Sequence, residues 1–233
     1  MTSTTKTIDV PNGVRVASAQ RVPGWKAPLD VAFILLALPF WLPLMLLLML
    51  VTRLGSPGPI FYRQWRVGLG GRQFKIWKFR TMKVSAETET HERYFEQLMR
   101  TNCAMTKLDA NGDPRLAPFG RFLRASGLDE LPQIFNVLSG EMSLVGPRPC
   151  LPNEFANYEP WQRARVHALP GLTGLWQVSG KNKTTFNDMI RMDLTYLNNM
   201  SFLLDLNIMF KTAGTIAQEV IESRQTSMQG GQS

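Results

Sequence analysis

Histidine and cysteine are scarce in this chain, with two of each in 233 residues. Cys103 and Cys150 show neither metal-ligand spacing nor a disulfide framework. His91 and His167 have no ligand neighbours at motif spacing. Together these absences exclude a zinc centre and point to a reducing compartment. Acidic residues are missing from positions 53 to 86, and charge of either sign is missing from Val31 to Thr52. That uncharged stretch lies inside the chain, carries prolines and lacks a small-residue cleavage site, so it does not read as a removable signal peptide. No internal repeat is present, and Gly68, Gly70 and Gly71 do not make a dinucleotide fingerprint. What the chain does have is an excess of base, 26 Lys and Arg against 18 Asp and Glu, for a net charge of +8. Such a balance asks for an anionic partner: nucleic acid, a phosphorylated substrate or an anionic membrane.

The length allows one or two domains with a sizeable core. Residues 1 to 28 mix Thr, Ser, Pro and Gly with scattered charges and read as a flexible arm. Val31 to Thr52 would span about 33 Å as straight helix, against a hydrocarbon core of about 30 Å, and must enter a membrane. Pro39 and Pro43 lie in its middle and each costs roughly 3 kcal/mol inside a regular helix, so residues 29 to 54 are expected to bend there as a re-entrant hairpin, the alternative being a spanning helix whose neighbours re-satisfy the backbone. Both flanks are basic, with Arg15, Arg21 and Lys26 before and Arg53, Arg63 and Arg66 after. The positive-inside tendency therefore keeps both on the cytoplasmic side. The cations Arg53, Arg63, Arg66, Arg72, Lys75, Lys78, Arg80 and Lys83 form an acid-free surface for phosphates or headgroups, if they are not simply a solvated face. Phe74 to Arg80 alternates as a strand, with Lys75 and Trp77 on one face and Lys78 and Arg80 on the other.

Glu87 to Arg100 has helical character, and Asn102 to Pro118 reads as a loop with turn signals at Asn111 to Pro114. Ser126 to Gln133 then sets two adjacent carboxylates, Asp129 and Glu130, just ahead of an apolar helical run. Pro132 belongs in a first helical turn, which puts the helix start near Asp129. Leu131, Ile134, Phe135 and Leu138 follow as a buried stripe, and Gly140 ends the helix. An ordinary capping box from Ser126 to Asp129 would place Pro132 too deep. At a helix start the dyad meets free amides that favour anions, and a carboxylate kept ionised there is a candidate nucleophile. Arg124 is near enough in sequence to add a cation. Gly146-Pro147-Arg148-Pro149 holds one arginine in a stiff loop, pre-organised to grip phosphate or else an ordinary turn. Glu154 to Leu169 has helical character. The Gly-punctuated stretch from Pro170 to Gly180 presents Trp176 and Gln177, as a base platform or as core. Phe186, Met189, Ile190, Leu194 and Leu197 mark a helix. Phe202 to Phe210, interrupted by Asp205 and Asn207, suits an interfacial or core helix that continues to about Glu222. From Ser223 the tail reads as disordered. The fold class expected is α+β, mostly helical, with few short strands.

The motifs KFRTM, LDELPQIFNVLSGEMSLVGPRP and PGLTGLWQVSG, taken together and in order, resemble the bacterial sugar transferase family, the monotopic polyprenyl-phosphate hexose-1-phosphate transferases. The resemblance runs from about Asp30 to about Val220. It implies an enzyme that moves a sugar 1-phosphate from a UDP-sugar to undecaprenyl phosphate, releases UMP and primes a surface glycan such as exopolysaccharide or lipopolysaccharide. It also implies the bacterial inner membrane, a catalytic domain at residues 55 to 222 facing the cytoplasm, and no nucleic-acid partner. A homodimer is compatible with it. By carry-over, Asp129 resembles the nucleophile that forms an aspartyl phosphosugar, and Glu130 its partner carboxylate. Mg2+ held by Asp129 and the diphosphate is implied. Lys78, Arg124 and Arg148 match positions lining the phosphate site, and Arg80 is added on strand geometry. The chain departs from the family at Leu42-Pro43, where many members have Ser-Pro, and at Leu169 and Lys181, where basic residues and Arg are common. A competing class is a membrane-anchored scaffold that binds anionic lipid without catalysis. A third is a phosphohydrolase with water as acceptor.

Overall fold

The computed structural model describes residues 7–10, 14–17, 22–83, 101, 115–180 and 184–229. The expectations for Glu87 to Arg100 and for the Asn111 to Pro114 turn fall outside these residues, as does Lys181. Within the N-terminal arm, β1 (Thr7–Val10) and β2 (Val14–Ala17) pair antiparallel, so part of the arm read as flexible is strand.

After the Pro23-Gly24 turn the apolar run folds as two helices, α1 (Lys26–Leu36) and α2 (Leu38–Gly55). The chain breaks at Ala37, and Pro39 occupies the first turn of α2, where its missing N–H has no carbonyl to serve. Pro43 lies inside α2 without ending it, which corrects its assignment to the bend. The carbonyls stranded by such a break need donors. Phe33 O accepts from Ala37 N–H, and Ile34 O accepts from the Trp41 indole N–H at 2.9 Å. Trp41 thereby supplies the donor for which the sequence offered no hydroxyl.

Strands β3 (Phe61–Val67) and β4 (Gln73–Phe79) pair antiparallel across a tight turn in which Gly70 and Gly71 take positive φ. Next come α3 (Gly120–Ala125), a 3-10 turn at Leu128–Gln133, and α4 (Ile134–Leu138). Gly140, with φ of 75°, ends α4 as expected. The expected stripe is half right. Ile134 is buried, but Phe135 and Leu138 are exposed, and Asn136 and Val137 face inward in their place. The 3-10 turn winds the chain differently from an α-helix and rotates the buried face.

The short strands β5 (Ser143–Val145) and β6 (Gly171–Thr173) pair in parallel. A Cβ on Gly146 would sit 2.2 Å from Leu169 O, and one on Gly171 would sit 2.1 Å from Gly146 N, so these motif glycines serve close backbone approach. The expected helix over Glu154 to Leu169 is broken into α5 (Pro152–Ala156) and a 3-10 turn at Gln162–His167. The short α6 (Leu175–Val178) precedes α7 (Phe186–Asn199), which opens on a Thr185–Asp188 capping box. The last helix, α8 (Phe202–Gln229), runs past Glu222 into the stretch read as tail.

Three apolar clusters hold these elements together. Phe186, Met189, Ile190, Leu194 and Leu197 of α7 pack with Tyr158, Trp161 and Trp176, as the helical spacing predicted. Ile34 of α1 joins Phe74, Ile76, Ile134, Val137 and Met142. Met45 and Leu48 of α2 join Phe79 and Leu123. Both arms of the apolar segment are thus seated on the same domain, while Leu35, Leu36, Phe40, Leu46, Leu47 and Leu50 point outward. The chain is mostly helical with few short strands, as expected, and α2 is long and apolar enough to cross a bilayer by length and composition.

Candidate active site

The dyad sits where three elements meet. Ser126 Oγ donates to Phe122 O and Leu123 O, closing α3 and capping nothing downstream, so the later helix start is the one the chain adopts. Gly127 turns the chain with φ of 69°, a conformation glycine accepts at little cost, and delivers Asp129 and Glu130 into the first 3-10 turn. Asn136 fixes this turn against β4. Its Oδ1 accepts from Trp77 N–H at 3.0 Å and its Nδ2 donates to Lys75 O at 2.9 Å, so the amide pairs with β4 as a neighbouring strand would. This positioning residue was missed in the sequence. Its only signal there was a polar residue inside an apolar run.

Once fixed in this way, β4 aims Lys78 at the dyad, and Lys78 Nζ donates to Glu130 Oε1 at 2.5 Å. Glu130 is partly exposed, whereas Asp129 is buried. Burial pushes the Asp129 carboxyl up to about 6. The Lys78 charge opposes this, Glu130 adds to it, and Arg124 opposes it more weakly than Lys78. Asp129, Glu130, Lys78 and Arg124 therefore form one electrostatic unit. Among the described residues no group of three or more His, Cys, Asp or Glu could hold a metal. Two adjacent carboxylates suit only an ion that takes most of its ligands from phosphates and water.

The other expected site residues have partners of their own. Arg80 is buried and donates to Pro57 O at 2.8 Å and Ser56 O at 2.7 Å, clamping the exit of α2 instead of facing a phosphate. Arg148 pairs with the buried Glu154 at 3.3 Å, and its carbonyl accepts from Arg165 at 2.9 Å. Arg165 in turn is ion-paired with Asp193 and bonded to Tyr158. Trp176 is buried in the main core, with its indole N–H donating to Thr184 Oγ1 at 2.8 Å, so it is not presented to a base. Gln177 is half-buried beside it. Leu169, where basic residues were the comparison, is core. The acid-free run of cations is likewise not one surface. Arg66 is buried, donates to Pro149 O, and is lowered to about 10 by burial and by Arg148.

A buried aspartate thus stands with a Glu–Lys pair at its side, in a turn whose Leu128 and Leu131 pack against the apolar helix α2. The bacterial sugar transferase profile matches residues 21–219. The exopolysaccharide production protein ExoY of Sinorhizobium fredii is 40% identical over 192 residues, covering 80% of this chain and 83% of its own. The UDP-glucose:undecaprenyl-phosphate glucose-1-phosphate transferase of Xanthomonas campestris is 40% identical over 196 residues, 81% of this chain and 38% of its own. The undecaprenyl-phosphate galactose phosphotransferase of Salmonella typhimurium is 38% identical over 192 residues, 82% of this chain and 40% of its own. The chain therefore spans most of one relative and well under half of the other two. It belongs to the bacterial sugar transferase family and is an enzyme, a phosphoglycosyl transferase.

Proposed function

We propose that the enzyme transfers a hexose 1-phosphate from a UDP-sugar to undecaprenyl phosphate and so primes a surface glycan. The observation that carries this reading is the buried Asp129 beside the Lys78–Glu130 pair. Asp129 Oδ attacks the sugar-bearing phosphorus, the bridging P–O bond breaks, and UMP leaves with the bond's electron pair. An oxygen of undecaprenyl phosphate then attacks the same phosphorus and returns the carboxylate. Phosphoryl transfer of this kind needs positioned cations more than it needs covalent machinery. Lys78 and Arg124 supply fixed positive charge, and Glu130 is the carboxylate placed to guide the lipid phosphate. Mg2+ would be held by Asp129 together with diphosphate oxygens, where it would neutralise charge on the leaving group. Incubating the purified protein and undecaprenyl phosphate with a panel of UDP-sugars should release UMP with one of them. Lipid-independent release of sugar phosphate would instead favour the hydrolase reading.

The attacking carboxylate must be ionised. Because Asp129 is raised to about 6, kcat/KM should be full above that pH and fall as the pH drops through it. A limb near pH 4, the range of an ordinary aspartate, would remove Asp129 from this role.

We further infer that the α1–α2 segment enters the bilayer and returns on the cytoplasmic side. α1, at 11 residues, reaches only about 16 Å. Its first residue is bound to Asp205, and the far end of α2 lies against Pro118 and Phe119. One domain therefore receives both ends, and it cannot lie on both sides of a membrane. In a Cys103→Ser background, where Cys150 is wholly buried, Ser3→Cys should resist a membrane-impermeant thiol reagent until the cells are opened. Labelling from outside would mean that the segment spans.

A further inference from the structure

One face of the β3–β4 hairpin is left uncovered over its middle, and neither the site nor the core uses that part. Successive residues of a strand alternate between faces and cross-strand partners share one. Phe61 opposite Phe79, Arg63 opposite Trp77, and Trp65 opposite Lys75 therefore lie on a single face. Both of its ends are covered, and at one of them Val67, opposite Gln73, is buried in the main core. Phe79 is buried and stacked on Phe61, and both pack under Met45 and Leu48 of α2. Four residues further along β3 the cover is gone, and Trp65 is 50% exposed. There the side chains cross-pair as cation and ring. The Arg63 guanidinium lies 4.2 Å from the Trp77 ring centroid, and Lys75 Nζ lies 4.7 Å from that of Trp65.

We propose that this face is a second membrane contact, docked on anionic phospholipid headgroups. The reading rests on insertion of the α1–α2 segment, because the face continues directly from the pair that α2 covers. The exposed middle lies within about 13 Å of that pair at the rise of a β-strand, which keeps it within reach of the surface α2 enters. Tryptophan settles at the headgroup level, with its ring among acyl carbons and its N–H in water. Arg and Lys over indole faces are held pointing outward while their charge stays available to phosphate. No acid occurs between residues 53 and 86 to repel the headgroups. Each basic side chain near an anionic leaflet corresponds to roughly fivefold in partitioning. On the opposite face of β4, Lys78 meets Glu130. Docking would thus fix the height of that site above the bilayer, where the lipid-borne phosphate lies.

The test uses the full chain in vesicles of phosphatidylcholine with a minority of phosphatidylglycerol, the bromine quencher being carried on the acyl chains of one lipid or the other. The difference between the parent and Trp65→Phe isolates the fluorescence of Trp65. It should be quenched, and more strongly when phosphatidylglycerol carries the bromine. Arg63→Gln with Lys75→Gln should abolish that preference, and added salt should weaken it. No quenching of Trp65, or a preference that survives the double variant, overturns the proposal. So does quenching of Trp65 by UMP in detergent with none by lipid, which would give the face to the nucleotide. Trp41→Phe reports insertion of the apolar segment separately. Loss of quenching at Trp41 would refute insertion, whereas quenching at Trp41 with none at Trp65 would refute only the docking.

Discussion

Asp129→Asn is expected to abolish transfer, by on the order of 10^4-fold or more, and to leave the fold intact. An amide cannot attack phosphorus, and loss of a covalent nucleophile acts on that scale. The same substitution separates chemistry from stability. The Asp129 carboxyl is raised above its ordinary value because burial disfavours its charge. Folding therefore favours the protonated form. The ionised form is a liability that is absent below about pH 4 and grows until the pH passes about 6. Asn carries no charge to bury, so at pH 8 the variant should melt at the parent temperature or roughly a few degrees above it, with the gap closing as pH falls. A variant that still releases UMP would sink the aspartyl intermediate. One that is inactive but melts far below the parent would leave the mechanism unsupported by it. Glu130→Gln complements the experiment. If Glu130 acts mainly when the lipid phosphate attacks, intact mass after UDP-sugar alone should show the phosphosugar adduct retained in that variant.

The turn that carries Asp129 and Glu130 could be read from sequence because its signals were local: two adjacent carboxylates, a proline just after them that cannot sit deep in a helix, and a glycine after the apolar run. The α7 stripe was legible for the same reason, since one helix face buried from Phe186 to Leu197 follows from spacing alone. What failed depended on partners distant in sequence. Arg80 and Lys78 are two residues apart on one alternating stretch, yet one meets Glu130 and the other meets carbonyls at Ser56 and Pro57. No local pattern distinguishes them, because the exit of α2 is placed by packing. Trp176 follows the same rule, being drawn into the core by α7. The 3-10 winding at Leu128–Gln133 moved Phe135 and Leu138 outward, and periodicity assumed for an α-helix could not anticipate that. Trp41 and Asn136 were missed because each satisfies backbone groups that exist only once the chain has broken or paired.

Asp205 shows most clearly how position overrides composition. In the sequence it is a charge interrupting an apolar stretch; in the fold it is the partner of Lys26, each 1% exposed, at 2.6 Å. Tyr196 completes the group. Its hydroxyl donates to the second carboxylate oxygen at 2.7 Å and accepts from Lys26 at 2.9 Å. Burial and the adjacent carboxylate hold the Tyr196 hydroxyl far above its usual range, so it stays a donor. Removing one member strands the other, because a buried ion without its counter-charge costs far more than the pair contributes. Lys26→Met should therefore destabilise the protein by roughly 3–5 kcal/mol. For a chain of this size that is a fall in Tm of roughly 10 °C, read by circular dichroism in detergent. Adding Asp205→Leu to Lys26→Met removes the stranded carboxylate and should restore most of the loss. A single variant that melts with the parent would mean that Lys26 and Asp205 are not buried against each other. The base of α1 would then be free of the domain, and the argument that both ends of the apolar segment lie on one side of the membrane would lose its first anchor.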